Sequence, residues 1–373
     1  MLVIDHRETQ VRMNGRALRI ERPEHPPEHV PLGLIGLVVV HGSPMVGCEV
    51  WRELAERNIP AVLQPARGRG AGALVGAALG GTIELRIAQH RAADSPETAL
   101  AIARRLVAAK IDAQTEVAAR LAPAPEGAAE LQRAQREAVD GLGRAVAVPS
   151  LLGVEGAAAA AWYHWLIGWL DGRGLQHWRF AGRNRRPPRD PINALLSLGY
   201  TLLAGEVLRA VQEQGLDPAL GFLHGVVPGR ESLVLDLMEP LRPSVDLVVL
   251  GLADGVLIPT QFAYSARDGC RLTKDARALF YREWAMARSD WPDLSRPLTG
   301  QPGRQGGDPG AARGPGPGDS AGAPSRAPMG PGGAEGDPDT GAGSPAQGES
   351  ASLPALCRRQ VERLRAWLRP KSE

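Results

Sequence analysis

From Gly300 to Ser350 the chain reads GQPGRQGGDPGAARGPGPGDSAGAPSRAPMGPGGAEGDPDTGAGSPAQGES. Almost no residue in this run can enter a core. A segment so poor in aliphatic and aromatic side chains cannot bury enough apolar surface to offset the entropy of ordering it, so the sequence predicts a disordered linker over 295–352. The run confines packed structure to what precedes it and to the stretch LPALCRRQVERLRAWLR that follows. With 45 Gly and 32 Pro among 373 residues, the globular part is shorter than the chain yet long enough for two domains with cores.

The first ninety residues read as mostly β. In ETQVRMNGRALRIE, Val11 and Met13, then Leu18 and Ile20, alternate on either side of Asn14-Gly15, a dipeptide suited to the positive φ angles of a type I′ hairpin turn. Leu34 to Val40 is an apolar run of strand length, GCEVWRELAERN reads as a short helix, and Ile59 to Gln64 as a further strand. The Gly-rich RGRGAGALVGAALGG that follows carries a loose GxGxxxG. No acidic ribose partner stands after a second parallel strand, so a Gly-rich connection is the better reading than a dinucleotide cradle.

From Asp94 the period becomes helical. Ser95-Pro96-Glu97 supplies an N-cap, a first-turn proline and a first-turn acid, and the helix runs on through ALAIARRLVAAKIDAQ. A helix is expected around Glu130 to Val139, and another in LLGVEGAAAAAWYHWLIGWL. A longer one starts at Asp190-Pro191, with an apolar stripe from Ile192 to Val211, and ends at Gly215. The fold class is α+β: a small β-rich N-terminal domain, 1–90, and a mostly α-helical domain, 91–294. The disordered insertion, 295–352, then precedes a basic amphipathic helix, 353–369.

Polar residues that interrupt apolar surroundings mark the candidate chemistry. In GFLHGVVPGRESLVLDLMEPLR, His224 lies on a Gly-flanked turn and Asp236 and Glu239 follow at a spacing that puts them on one helical face, although Pro240 restricts that to a short or kinked turn. One imidazole with carboxylates suits Mg²⁺ or Mn²⁺, and the absence of nearby cysteine argues against structural zinc. The same residues also fit a solvated face and a satisfied core histidine. Glu155, between Gly153 and Gly156, reads either as a first-turn acid or as a buried ligand whose small neighbours admit a phosphate. Arg183, Arg185, Arg186 and Arg189, on a loop stiffened by Pro187-Pro188, read as a phosphate clamp, or as solvated arginines.

Composition excludes other classes. The net charge is +2, and the only lysines are Lys110, Lys274 and Lys371, so basicity matters where arginines cluster and not in total. Cys48, Cys270 and Cys357 give neither a disulfide framework nor metal spacing. A reducing cytoplasmic setting fits them. The start MLVIDHRETQ has no signal-peptide pattern, and the apolar stretch Leu151–Leu170 is interrupted by Glu155 and His164, so no membrane association is expected.

Taken in order, LLGVEG, GRNRRPPRDPINALLSLGYTLL, GLDPALGFLH and LVLDLMEPLRP closely resemble the CRISPR-associated spacer-acquisition endonuclease, the integrase subunit of CRISPR adaptation. Arg86 and Gln89 as R-x-x-Q, KIDAQ from Lys110 to Gln114, and GCRLTKDARALFYREW are similar to the same family. The resemblance spans most of the chain and implies a β-rich domain used for homodimerisation and a helical catalytic domain. It implies Glu155, His224 and Glu239 as metal ligands, with Asp236 as a supporting carboxylate, and Mg²⁺ or Mn²⁺ as cofactor. The implied reaction is insertion of short DNA into a repeat array by 3′-hydroxyl attack on a phosphodiester. Partners would be double-stranded DNA, as prespacer and CRISPR repeat, and the small second CRISPR adaptation protein. Two alternatives fit the same residues: another metal-dependent phosphodiesterase without integrase activity, or a non-catalytic DNA-binding scaffold. Against the family pattern, the Gly/Pro-rich run is an insertion ahead of the terminal helix.

Overall fold

The computed structural model describes residues 1–57, 59–65, 72–74, 83–121, 127–184, 187–266, 268–294 and 351–368. These fall in one compact unit, Met1–Arg296 with Ser350–Glu373. The run expected as a linker lies outside the described residues, apart from Ala351 and Ser352.

The strand-rich N-terminal region holds β1 (Leu2–Ile4), β2 (Gln10–Asn14), β3 (Ala17–Arg22), β4 (His25–Pro31), β5 (Val38–His41), β6 (Met45–Val46), helix α1 (Cys48–Glu56), β7 (Ala61–Gln64) and β8 (Gly72–Leu74). They form two four-stranded sheets, ordered β1-β5-β7-β8 and β4-β3-β2-β6. The expected hairpin is present, with Asn14 paired to Ala17. Its turn is shifted by one residue, to Gly15-Arg16. Positive φ is confined to Gly15, at 60°, the pattern of a type II′ turn, so Asn14 can stay in the strand. The apolar run from Leu34 is a strand only from Val38, because Leu32–Leu34 is a 3₁₀ turn. Of the Gly-rich stretch after β7, only 72–74 are described, and β8 pairs antiparallel with β7; the loose GxGxxxG otherwise lies outside the described residues.

Strand β5 is buried on both faces. Val38 and Val40 belong to a core with Val11, Leu18 and Leu54, whereas Leu37 and Val39 join Val62 in the helical core. A strand covered on both sides reads as a continuous hydrophobic run without alternation, which is why VVV stands there.

The helical body comprises α2 (Ile83–Asp94), α3 (Pro96–Arg120), α4 (Ala128–Arg144), α5 (Val148–Gly172), α6 (Pro191–Glu213), α7 (Ser232–Met238) and α8 (Arg242–Gly255). The ribbon of β9 (Phe262–Ser265) and β10 (Gly269–Leu272) follows, then α9 (Lys274–Ser289) and α10 (Leu353–Leu368). Both expected helix starts are capped: the Ser95 side chain accepts from Thr98 N, and that of Asp190 from Asn193 N. Helix α2 lies in the stretch read as mostly strand; it is held by tertiary bonds, as shown below. Among the described residues α6 is the helix long and apolar enough to cross a bilayer, and 72% of its apolar window is buried within the protein, as expected of a core helix. It lies close to the N-terminal sheet: a Cβ on Gly205 would stand 2.8 Å from Val62 Cγ2.

The terminal helix docks. Trp291 and Ala351 pair as an antiparallel bridge, which ties the start of the terminal segment to the end of the preceding one. Helix α10 then packs against α6, α2, α7 and α9, burying Leu353, Leu356, Cys357, Val361 and Leu364. Leu364 is fully buried, and Leu364→Ala should lower unfolding free energy by about 2–5 kcal/mol in urea titration; a change below ~0.5 kcal/mol would mean that α10 is not part of the cooperative fold.

Candidate active site

Four segments far apart in sequence bring their polar groups together. Helix α3 carries Lys110, α5 carries Glu155, the 3₁₀ turn Glu239–Leu241 between α7 and α8 carries Glu239, and the loop before α7 carries His224. Helix α7 ends as a regular helix at Met238, and the backbone stays right-handed helical through Glu239 into the 3₁₀ turn, so Asp236 and Glu239 keep the expected one-turn spacing while meeting different partners. Lys110 Nζ donates to Glu239 Oε2 at 2.6 Å and also to Glu155 Oε1. Arg242 Nε holds the other Glu239 oxygen, Oε1, at 2.8 Å. Glu239 is buried. Burial alone would raise its pKa, but Arg242 and Lys110 outweigh it and hold the acid down to about 2. Lys110 is buried as well; desolvation pulls its pKa down, and Glu239 and Glu155 more than reverse this, raising it. Lys110 and Glu239 are therefore both charged at neutral pH.

Glu155 is not a first-turn acid. Helix α5 begins at Val148, seven residues earlier, because Val148-Pro149 suits a helix start. The helix instead delivers Glu155, half-buried, to Lys110.

His224 is oriented by Asp236. The fully buried Asp236 accepts from the backbone N–H of Phe222, Leu223 and His224 and from His224 Nδ1, the last at 2.8 Å. A carboxylate accepts here, so Nδ1 carries the proton, and in the neutral ring Nε2 keeps its lone pair, the tautomer that can act as a metal ligand. The turn closes around Asp236 so tightly that a Cβ on Gly221 would lie 2.8 Å from Asp236 Oδ2 and 2.9 Å from His224 O. Helix α2 fixes the start of the same loop: Arg86 Nε donates to Gly215 O, and Gln89 Nε2 to Asp217 O and Leu220 O at 2.9 and 2.8 Å. The R-x-x-Q motif thus positions the segment that leads to His224.

Of the four arginines expected to clamp phosphate, Arg183 is turned inward. It donates to Asn193 Oδ1 at 2.7 Å and to Ser197 Oγ, and lies over the ring of Tyr200, which Arg242 also covers. Tyr200 in turn donates to the buried Asp246, which also accepts from Trp162 Nε1. Arg185 and Arg186 lie outside the described residues. Arg189 is exposed, and with Arg179, Arg183, Asn184 and Tyr264 it lines a cleft of about 380 Å³. Arg179, not singled out from sequence, stands alone in WRF, where no charge cluster marks it.

The family model described as "CRISPR associated protein Cas1" matches residues 2–286. The chain belongs to the Cas1 family. It is 36% identical over 289 residues to "CRISPR-associated endonuclease Cas1 2" of Rhodospirillum rubrum, covering 74% of this chain and 82% of that one. It is 34% identical over 292 residues to a Cas4/Cas1 exonuclease–endonuclease fusion of Geobacter sulfurreducens, covering 75% of this chain and spanning about half, 51%, of the fusion. In fold it is similar to a casposase bound to its integration product, with a TM-score of 0.73 at 20% identity, covering 100% of this chain and 91% of that one.

The donor set fits a divalent ion in chemistry. Two carboxylates converge on a point that already holds one positive charge, and the His224 ring is held through Nδ1, which leaves Nε2 on its other side. In spacing the site is not closed, since among the described residues no three of His, Cys, Asp or Glu are grouped as a metal cage; Lys110 stands between the acids. Because Glu239 has a lowered pKa, its ion pairs stabilise the fold fully above about 4.5 and lose that effect as pH falls toward about 2. Glu239→Gln should be less stable than wild type at pH 7, with the gap narrowing over that acid window. Parallel stability–pH curves for the two proteins would contradict the ion pairing.

Proposed function

We propose that this Cas1-family chain is a metal-dependent DNA endonuclease and integrase of CRISPR adaptation. The observation that carries this reading is the convergence of Glu155 and Glu239 on one cationic position, beside a histidine whose tautomer Asp236 fixes. Glu155, Glu239 and His224 Nε2 would hold Mg²⁺ or Mn²⁺, both of which accept oxygen ligands with an imidazole. Bound there, such an ion would polarise a phosphodiester and stabilise the departing oxyanion.

The chain's own residues do the rest. Arg242 keeps Glu239 ionised and aimed, and Asp236 keeps the His224 ring turned so that Nε2 is available. Arg189 and Arg179 line the cleft next to the inward-turned Arg183 and would hold backbone phosphates, which positions DNA without reading its sequence. Arg183 would act through Tyr200, linking the cleft wall to Arg242. The attacking group is the 3′-hydroxyl of a short duplex in strand transfer, or water in cleavage. Family membership supports double-stranded prespacer and CRISPR repeat as substrates and the small second adaptation protein as partner. It equally supports a homodimer, for which the strand-rich region offers the exposed side chains of Leu34 and Met45.

The test is joining of a labelled duplex into a repeat-bearing plasmid, with the adaptation partner present. Wild type should join only with Mn²⁺ or Mg²⁺, and His224→Ala should join at least about a hundredfold more slowly, the loss expected when a metal ligand is removed. Joining that survives in His224→Ala would refute the ligand assignment; metal-dependent nicking without joining would refute the integrase reading.

A further inference from the structure

The chain has three lysines in all, and one of them stands between the two acids of the site. The choice is informative because arginine serves nearly every other basic position. An ammonium is a compact charge on a flexible stem, whereas a guanidinium holds carboxylates in a rigid planar fork. Lys110 can therefore leave its partners without dismantling them. Glu239 would keep its orientation in that event, because Arg242 holds Oε1 while Lys110 uses only Oε2. A divalent ion taken up by Glu155 and Glu239 competes for the oxygens that Lys110 now occupies. Lys110 is only 8% exposed, so an ammonium stripped of both carboxylates is strongly disfavoured unless another anion reaches it. Under the reading above, the anion that arrives is a DNA backbone phosphate.

We propose that Lys110 is the resident counter-ion of the site, passed from Glu155 and Glu239 to a phosphate of bound DNA when a divalent ion takes the acids. Ion and DNA then bind cooperatively. The inference rests on Glu155 and Glu239 being metal ligands. A purely structural strut, tying α3 to α5 and the 3₁₀ turn, would instead have no specific effect on ion affinity.

The experiment measures the Mn²⁺ dissociation constant of the full chain by electron paramagnetic resonance, with and without a short blunt duplex. In wild type, duplex should tighten Mn²⁺ binding on the order of tenfold, a typical coupling between two sites. Lys110→Met and Lys110→Gln should each bind Mn²⁺ without DNA about tenfold more tightly than wild type, and gain less from the duplex. Absence of a duplex effect in wild type would overturn the proposal, and that measurement needs no variant to fold. So would variants that match wild type in both affinity and duplex effect while keeping its melting temperature in Mn²⁺. Glu155→Gln separates the two levels. If it loses Mn²⁺ binding, a failure of the Lys110 pattern falls on this inference alone; if it binds Mn²⁺ as wild type does, the ligand reading fails and the inference with it.

Discussion

The interaction on which the site depends is the contact of the buried Lys110 with two carboxylates, the buried Glu239 and the half-buried Glu155. Removing an ammonium and two carboxylates from water carries a penalty of several kcal/mol per ion, recovered only with good geometry and further hydrogen bonds. Arg242 supplies that completion at Glu239. The elements that meet there, α3, α5 and the 3₁₀ turn after α7, are also held by apolar packing, which sets distances but not side-chain aim. The charges do the aiming. A depressed Glu239 and a raised Lys110 are two aspects of one pairing.

Around this centre lies a buried polar network. Tyr200 is stacked by Arg183 and Arg242 and hydrogen-bonded to Asp246, and Asp246 is shared with Trp162. Burial raises the pKa of Asp246 although both hydrogen bonds and Arg242 work against it. Such a network resists local rearrangement, since any one displaced member leaves another unsatisfied at low dielectric. It gives the arginine loop a rigid inner wall, leaving Arg179 and Arg189 at the cleft surface.

Much of this was legible in the sequence, for reasons that are local. Ser95 and Asp190 announce their helices because a cap and its N–H partner are three residues apart. The β2–β3 hairpin is visible because alternation and a turn glycine are short-range signals. His224, Asp236 and Glu239 stand out as polar residues in apolar company. What was not legible depends on partners distant in the chain. Nothing near Lys110 says that it meets Glu155 and Glu239, and nothing in GRNRR distinguishes the inward Arg183 from its neighbours. Helix α2 was missed because its role lies in bonds from Arg86 and Gln89 to backbone well over a hundred residues away. Glu155 was misplaced in the first turn because Gly153 and Gly156 read as a helix boundary, whereas the Val148-Pro149 start makes them interior.

Strand β5 has a consequence of a different kind. Register in a sheet is ordinarily set by the rule that a slip of one residue turns the apolar face to water. With Val38 and Val40 in one core and Val39 in the other, a slip would exchange like for like, and the hydrophobic pattern is silent. The ends of the strand break the tie. The Gly36 carbonyl accepts from Arg288 Nη2 at 3.1 Å, and the His41 ring meets the Tyr281 hydroxyl, both partners standing on α9. That helix works as a ruler laid along an otherwise unmarked strand, so the alignment of the N-terminal sheet is specified by residues that enter the chain some 240 positions later.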